Sequence, residues 1–126
     1  MKYLISPPED SSWTFDREAL ISALQRDWRV LSLGGPSPVA EGNDVTWRIE
    51  TGVGSLVGNQ HKDGQTQGLD GDLQAVARYA AWWREVVPDH QPLVLYDEGL
   101  TAIMDLRPKI TENEVVVEFE RAWDQA

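Results

Sequence analysis

The stretch Asp44-Val45-Thr46-Trp47-Arg48-Ile49-Glu50 decides how this chain is read. Val45, Trp47 and Ile49 alternate with Thr46, Arg48 and Glu50. A strand with that alternation turns one face to a dry interior and the other to water, the mark of a half-covered antiparallel sheet. Thr51-Gly52-Val53-Gly54 then reverses the chain into a strand predicted over residues 55–59, and His61-Lys62-Asp63-Gly64 reverses it again toward another over 65–69. The centre of the molecule therefore reads as a β-meander.

Working outward from the meander, the pattern changes period. Upstream, residues 2–6 read as a short strand stopped by Pro7-Pro8. Leu20, Ile21, Leu24 and Trp28 then recur at helical spacing over residues 17–28. Asp16 is placed to cap that helix, and Phe15 to staple onto Leu20. A strand over 29–33 follows, ended by Gly34-Gly35-Pro36-Ser37-Pro38.

Downstream, a second helix is predicted over 72–87, capped by Asp70 or Asp72 and closed by Pro88. Its apolar stripe is Leu73, Val76, Ala77, Ala80, Trp83 and Val87. The unbroken apolar run over residues 92–96 predicts a central strand buried on both faces. Asp97-Glu98-Gly99 turns it into a strand over 100–106, with Gly99 expected in the left-handed region. In the tail, Val115-Val116-Val117 favours a strand. Against that, Thr111 and Glu114 spell a capping box, and Val115, Phe119, Ala122 and Trp123 share a helical face. The tail is read as helix. The expected fold is α+β: one domain over residues 1–126, with a single mixed, mostly antiparallel sheet of five to seven strands and two or three helices packed on one face.

Composition narrows the function classes. The chain carries 21 acidic against 11 basic residues in 126, a formal net charge of −10. Such a surface repels phosphate backbones and anionic membranes, so neither nucleic acid nor a membrane is an expected partner, whereas a basic protein suits it. With no cysteine there is no disulfide, thiolate nucleophile or Cys-based metal site, and the expected location is the cytoplasm. Arginine outnumbers lysine, a coding bias that hints at a bacterial genome.

Motifs for chemistry are incomplete throughout the chain. His61 and His90 fall in expected turns with no metal-ligand spacing. Asn59, His61, Asp63, Gly64 and Asp70 occupy positions 1, 3, 5, 6 and 12 of a calcium-loop register, but an imidazole at position 3 and an aspartate at position 12 spoil it. The glycines at 52, 54 and 58 lack phosphate-loop spacing, and Ser55 sits in no nucleophile elbow. No catalytic residue, metal ligand or cofactor site is assigned. The exception is the acidic pair Asp97 and Glu98 after the apolar run, joined by Asp105, which would suit a metal-dependent hydrolase.

The six tryptophans point elsewhere. Adjacent helical residues point about 100° apart, so with Trp83 on the sheet, Trp82 falls on a second strip with Ala75, Tyr79 and Val86. That strip is either a protein interface or is covered from within, the third helix being the expected cover. In size and charge the chain is similar to the small acidic immunity proteins with which bacteria neutralise toxins, a likeness of composition that names no residue. The expected function is a non-catalytic protein-binding module for a basic partner. The alternatives are a small metal-dependent hydrolase on Asp97 and Glu98, or a structural homodimer.

Overall fold

The structure is a computed structural model, described for residues 2–35 and 42–125. Seven strands and three helices follow in the order β1 (Lys2–Ser6), α1 (Arg17–Asp27), β2 (Arg29–Gly34), β3 (Asn43–Glu50), β4 (Ser55–His61), β5 (Gln67–Asp70), α2 (Leu73–Val86), β6 (Val94–Asp97), β7 (Ile103–Asp105) and α3 (Glu112–Asp124). The strands form one sheet in the order β2-β3-β4-β5-β1-β6-β7, every neighbouring pair antiparallel. This is the expected α+β architecture. Of the breaker cluster expected to end β2, Pro36-Ser37-Pro38 lies outside the described residues.

Chain direction explains why the helices share a face. With every ladder antiparallel, β1 runs parallel to β2, and β5 runs parallel to β6. The links through α1 and α2 are thus crossovers between parallel strands, a connection that is right-handed almost without exception. The two crossovers step in opposite directions across the sheet and start from strands of opposite sense. Reversing both leaves a right-handed connection on the same face, so α1 and α2 lie side by side, and α3 packs next to α2 and β7.

Local chemistry sets the ends of these helices. The Asp16 carboxylate accepts the Ala19 N–H at 3.1 Å, opening α1. At α3, Thr111 Oγ1 accepts the Glu114 N–H while the Glu114 carboxylate accepts the Thr111 N–H, each at 3.1 Å. That reciprocal pair satisfies two donors a helix otherwise leaves bare, and it outweighs the strand preference of the valine triplet. Asp72 flanks α2 without a side-chain cap.

The core lies between the sheet and the helices. Tyr3, Ile5, Val45, Trp47, Ile49, Leu56, Leu69 and Leu95 project from the sheet into it. Leu20 and Leu24 of α1, Val76, Ala80 and Trp83 of α2, and Val115 and Phe119 of α3 close over them. Trp47 stacks beside Tyr79 with ring centres 6.1 Å apart, and its indole lies over Gly58 of the next strand. A Cβ on Gly58 would meet that indole at 2.3 Å, so β4 carries glycine where the largest core side chain lies flat.

Two expectations about β6 are corrected. It is not a central strand buried on both faces: it lies one strand from the sheet margin, with Leu95 and Asp97 buried and Val94 and Tyr96 only partly so. Nor does Gly99 take the left-handed conformation in the turn that follows. Leu100 takes it, with φ 56°. His61 closes β4 and so does not sit in a turn.

Candidate binding face

The strip proposed on α2 does not form a surface. Ala75 and Tyr79 are fully buried, which removes both from any interface of the folded chain. Trp82 and Val86 are partly buried against the core. The cover comes from the C-terminal end of α1 and not from α3, as the sequence had suggested. Trp82 Nε1 donates to the Asp27 carboxylate at 2.8 Å, and its ring meets Trp28 edge-on at 5.5 Å. Helix α2 has two buried strips because it is the middle helix of its layer. On its other flank Arg78 Nε donates to the Glu112 carboxylate of α3 at 2.7 Å, and Gln74 reaches the same carboxylate.

Tyr79 ends in a buried polar chain. Its hydroxyl donates to Gln67 Oε1 at 2.7 Å, Gln67 Nε2 donates to Gln60 Oε1 at 3.2 Å, and Gln60 Nε2 donates to the Phe15 carbonyl at 3.3 Å. Burial pushes the Tyr79 phenol well up, the Gln67 hydrogen bond opposing that only in part. The phenol stays neutral and serves to fix α2 over the sheet.

The acidic candidates separate rather than converge. Asp97 is 4% exposed and shares the covered face with Leu95. Its Oδ1 accepts the Ala102 N–H at 2.7 Å, while its backbone carbonyl accepts the Leu100 N–H at 2.9 Å. It is a turn-closing carboxylate, neither a solvated turn residue nor half of an open acid pair. Glu98 is exposed. Asp105 pairs in register with Val94 and projects from the opposite face of the sheet. Among the described residues no group of three or more His, Asp or Glu side chains is placed to hold a metal ion.

A cavity of about 310 Å³ is bordered by Arg84, Asp89, His90, Asp105, Leu106 and Arg107. Both of its arginines bond within the fold, Arg84 through its two terminal nitrogens while its buried Nε has no partner. The buried Arg84 guanidinium donates to the carbonyls of Val87, Pro88, Gln91 and Leu106 at 2.6–3.3 Å, tying the end of α2 to the loops around β6 and β7. Arg107 donates to the Glu118 and Glu114 carboxylates at 2.7–2.8 Å. These guanidiniums serve the fold.

What remains is the sheet face that the helices leave uncovered, and the register defines it. One row crosses the sheet as Gly34, Thr46, Asn59, Gly68, Leu4, Tyr96 and Ile103. It is polar or bare over β2 to β5 and apolar over β1, β6 and β7. The neighbouring row on the same face is Ser6, Val94 and Asp105. Ser6 Oγ and the Tyr96 hydroxyl share a hydrogen bond of 3.2 Å. Around these residues opens a second cavity of about 310 Å³, whose walls are Pro7, Pro8, Val94, Tyr96, Leu100 and Ile103, with Ser6 and Glu9 at its rim.

Leu100 and Ile103 are 61% and 55% exposed, the two most exposed large apolar side chains among the described residues. Leu100 is also one of two non-glycine residues with positive φ among those residues. The left-handed region costs a leucine roughly 1–2 kcal/mol. A branched apolar side chain held out to solvent in a strained conformation contributes nothing evident to folding, and such outliers gather at functional sites.

Sequence reasoning missed this face although its signal was present. The apolar run over residues 92–96 marks a strand with apolar residues on both sides, a pattern that does not say which side is covered. No helix of the described residues is long and apolar enough to cross a membrane. No protein-family model matches the chain, and no curated protein or solved structure matches it either.

Proposed function

We propose that this protein is a non-catalytic binding module that takes a basic protein partner on the uncovered apolar half of its sheet, in the reducing cytoplasm. The observation that carries the reading is the Leu4-Tyr96-Ile103 row with its adjoining cavity, apolar and open on a chain of net charge −10. Interfaces of this make-up combine an apolar centre with a charged rim, the rim setting which partner approaches. Glu9 borders that cavity, and Asp105 stands beside Val94 on the same face of the sheet, both carrying negative charge. The strained Leu100 supports the same reading, since a partner's surface is where its side chain finds burial.

The test is capture from native lysate of the source cells by the immobilised protein, beside Ile103→Arg and Trp82→Ala variants. Ile103 is exposed, so its replacement leaves the fold intact, which circular dichroism checks. The expected result is a captured protein of net positive charge whose recovery falls at least about tenfold with Ile103→Arg, the loss of roughly one 1.4 kcal/mol contact with added charge repulsion. Trp82→Ala retains capture once folded. Equal recovery by the Ile103→Arg variant would show that the partner binds elsewhere.

A further inference from the structure

We infer that the partner is held by strand addition: an extended, lysine- or arginine-bearing segment pairs with the free edge of β7, its side chains reaching the cavity between Leu100 and Ile103. This rests on the binding reading above and names how the same face is engaged. The ladder shows which backbone groups are available. Asp97 N–H donates to the Ala102 carbonyl at 3.3 Å and Leu106 N–H to the Leu93 carbonyl at 2.9 Å. With Leu95 opposite Met104, these pairs are the hydrogen-bonded ones. Antiparallel ladders alternate bonded and non-bonded pairs, so Ile103 and Asp105 turn their N–H and C=O groups away from β6, out of the sheet margin. Such a row of donors and acceptors is a template for another strand.

The opposite margin is less suited. Strand β2 carries a register shift between Val30 and Ser32, an irregularity of the kind that blunts an edge. The β7 margin instead adjoins the open cavity. Side chains two apart on an added strand lie on one face. An apolar residue set against Ile103 thus places a basic residue, two positions on, against Asp105.

Charge selects the occupant. A second copy of this chain would bring a further net charge of −10 and set Asp105 and Glu9 against their own kind. A cationic segment meets the same carboxylates as counter-ions. Of the nearby cations, Arg107 is bound to Glu114 and Glu118.

The probe is the peptide acetyl-Thr-Lys-Thr-Val-Thr-Lys-Thr-amide, titrated into the ¹⁵N-labelled full chain and followed by amide shifts. Saturable shifts centred on Ile103 and Asp105 are expected. Methylating the peptide nitrogens that face β7 should weaken binding at least about tenfold, as lost main-chain hydrogen bonds require. The counterpart with glutamate for lysine should not bind, and raising salt from about 50 to about 300 mM should weaken the lysine peptide several-fold.

Shifts on Tyr96 and Leu100 that survive N-methylation would overturn strand addition while leaving the binding face standing. No shift with the lysine peptide overturns strand addition, and the capture experiment then decides the broader reading by itself. Sedimentation of the free chain as a dimer that Ile103→Lys dissociates would overturn the cationic partner in favour of a second copy.

Discussion

The two faces of the sheet are built on different rules. On the covered face, Trp47, Tyr79 and Trp28 form a continuous series of ring contacts at 6.1 Å, and the one residue beneath the largest ring is a glycine. The side chains there are packed into one core cluster. On the open face the Leu4, Tyr96 and Ile103 row ends at a leucine in a backbone conformation that disfavours it. The first face is tuned for stability and tolerates almost no change. The second keeps apolar side chains in water and pays for them in strain, which folding alone does not explain.

The largest expected effect lies on the covered face. Gly58→Ala forces a methyl group into the Trp47 indole, where overpacking costs about 3 kcal/mol, read as a lower midpoint in urea denaturation. Gly68→Ala is the control, because its Cβ would meet the Asn59 amide at 3.0–3.1 Å and Lys2 Cε at 3.2 Å, both far ends of side chains that can move. A cost below about 1 kcal/mol there sharpens the contrast. Equal losses at the two glycines would erase it.

A smaller effect of opposite sign is expected on the open face. Leu100→Gly removes a side chain that is largely in water and relieves the left-handed strain, so stability should rise by about 1 kcal/mol while partner capture falls. Loss of stability would mean that Leu100 belongs to the core after all.

The smallest effect concerns the α1–α2 contact that covers Trp82. The Arg26 guanidinium, and after it the Trp82 indole N–H, hold the Asp27 carboxyl at about 2, below its ordinary 3.8. A depressed folded value stabilises the native state above the unfolded value and is lost as pH falls through the folded one. The contribution should therefore be intact above about pH 4 and fade toward pH 2, and Asp27→Asn should flatten that part of the pH–stability curve. Because the group is exposed, the change is small, and Trp82 fluorescence is the sensitive readout.

Much of this architecture is legible in residue order. The alternation over residues 44–50 reports a half-covered strand, and the Thr111–Glu114 box reports a helix start despite three consecutive valines. Both signals are local, carried by atoms a few residues apart, so sequence spacing suffices. The role of Asp97 escapes that reading because it depends on a turn whose left-handed residue is Leu100 and not the adjacent glycine.

Residue order alone carries the periodicities, the caps of α1 and α3, the acidic composition and the spacing of possible ligands, all properties of neighbouring residues. Only the tertiary structure decided which apolar strip is covered. Trp82 is closed off because α1 ends beside α2, while Ile103 stays open because the crossover helices α1 and α2 share the other face and α3 packs beside α2. Burial is a relation between segments far apart in the chain, and no local pattern encodes it.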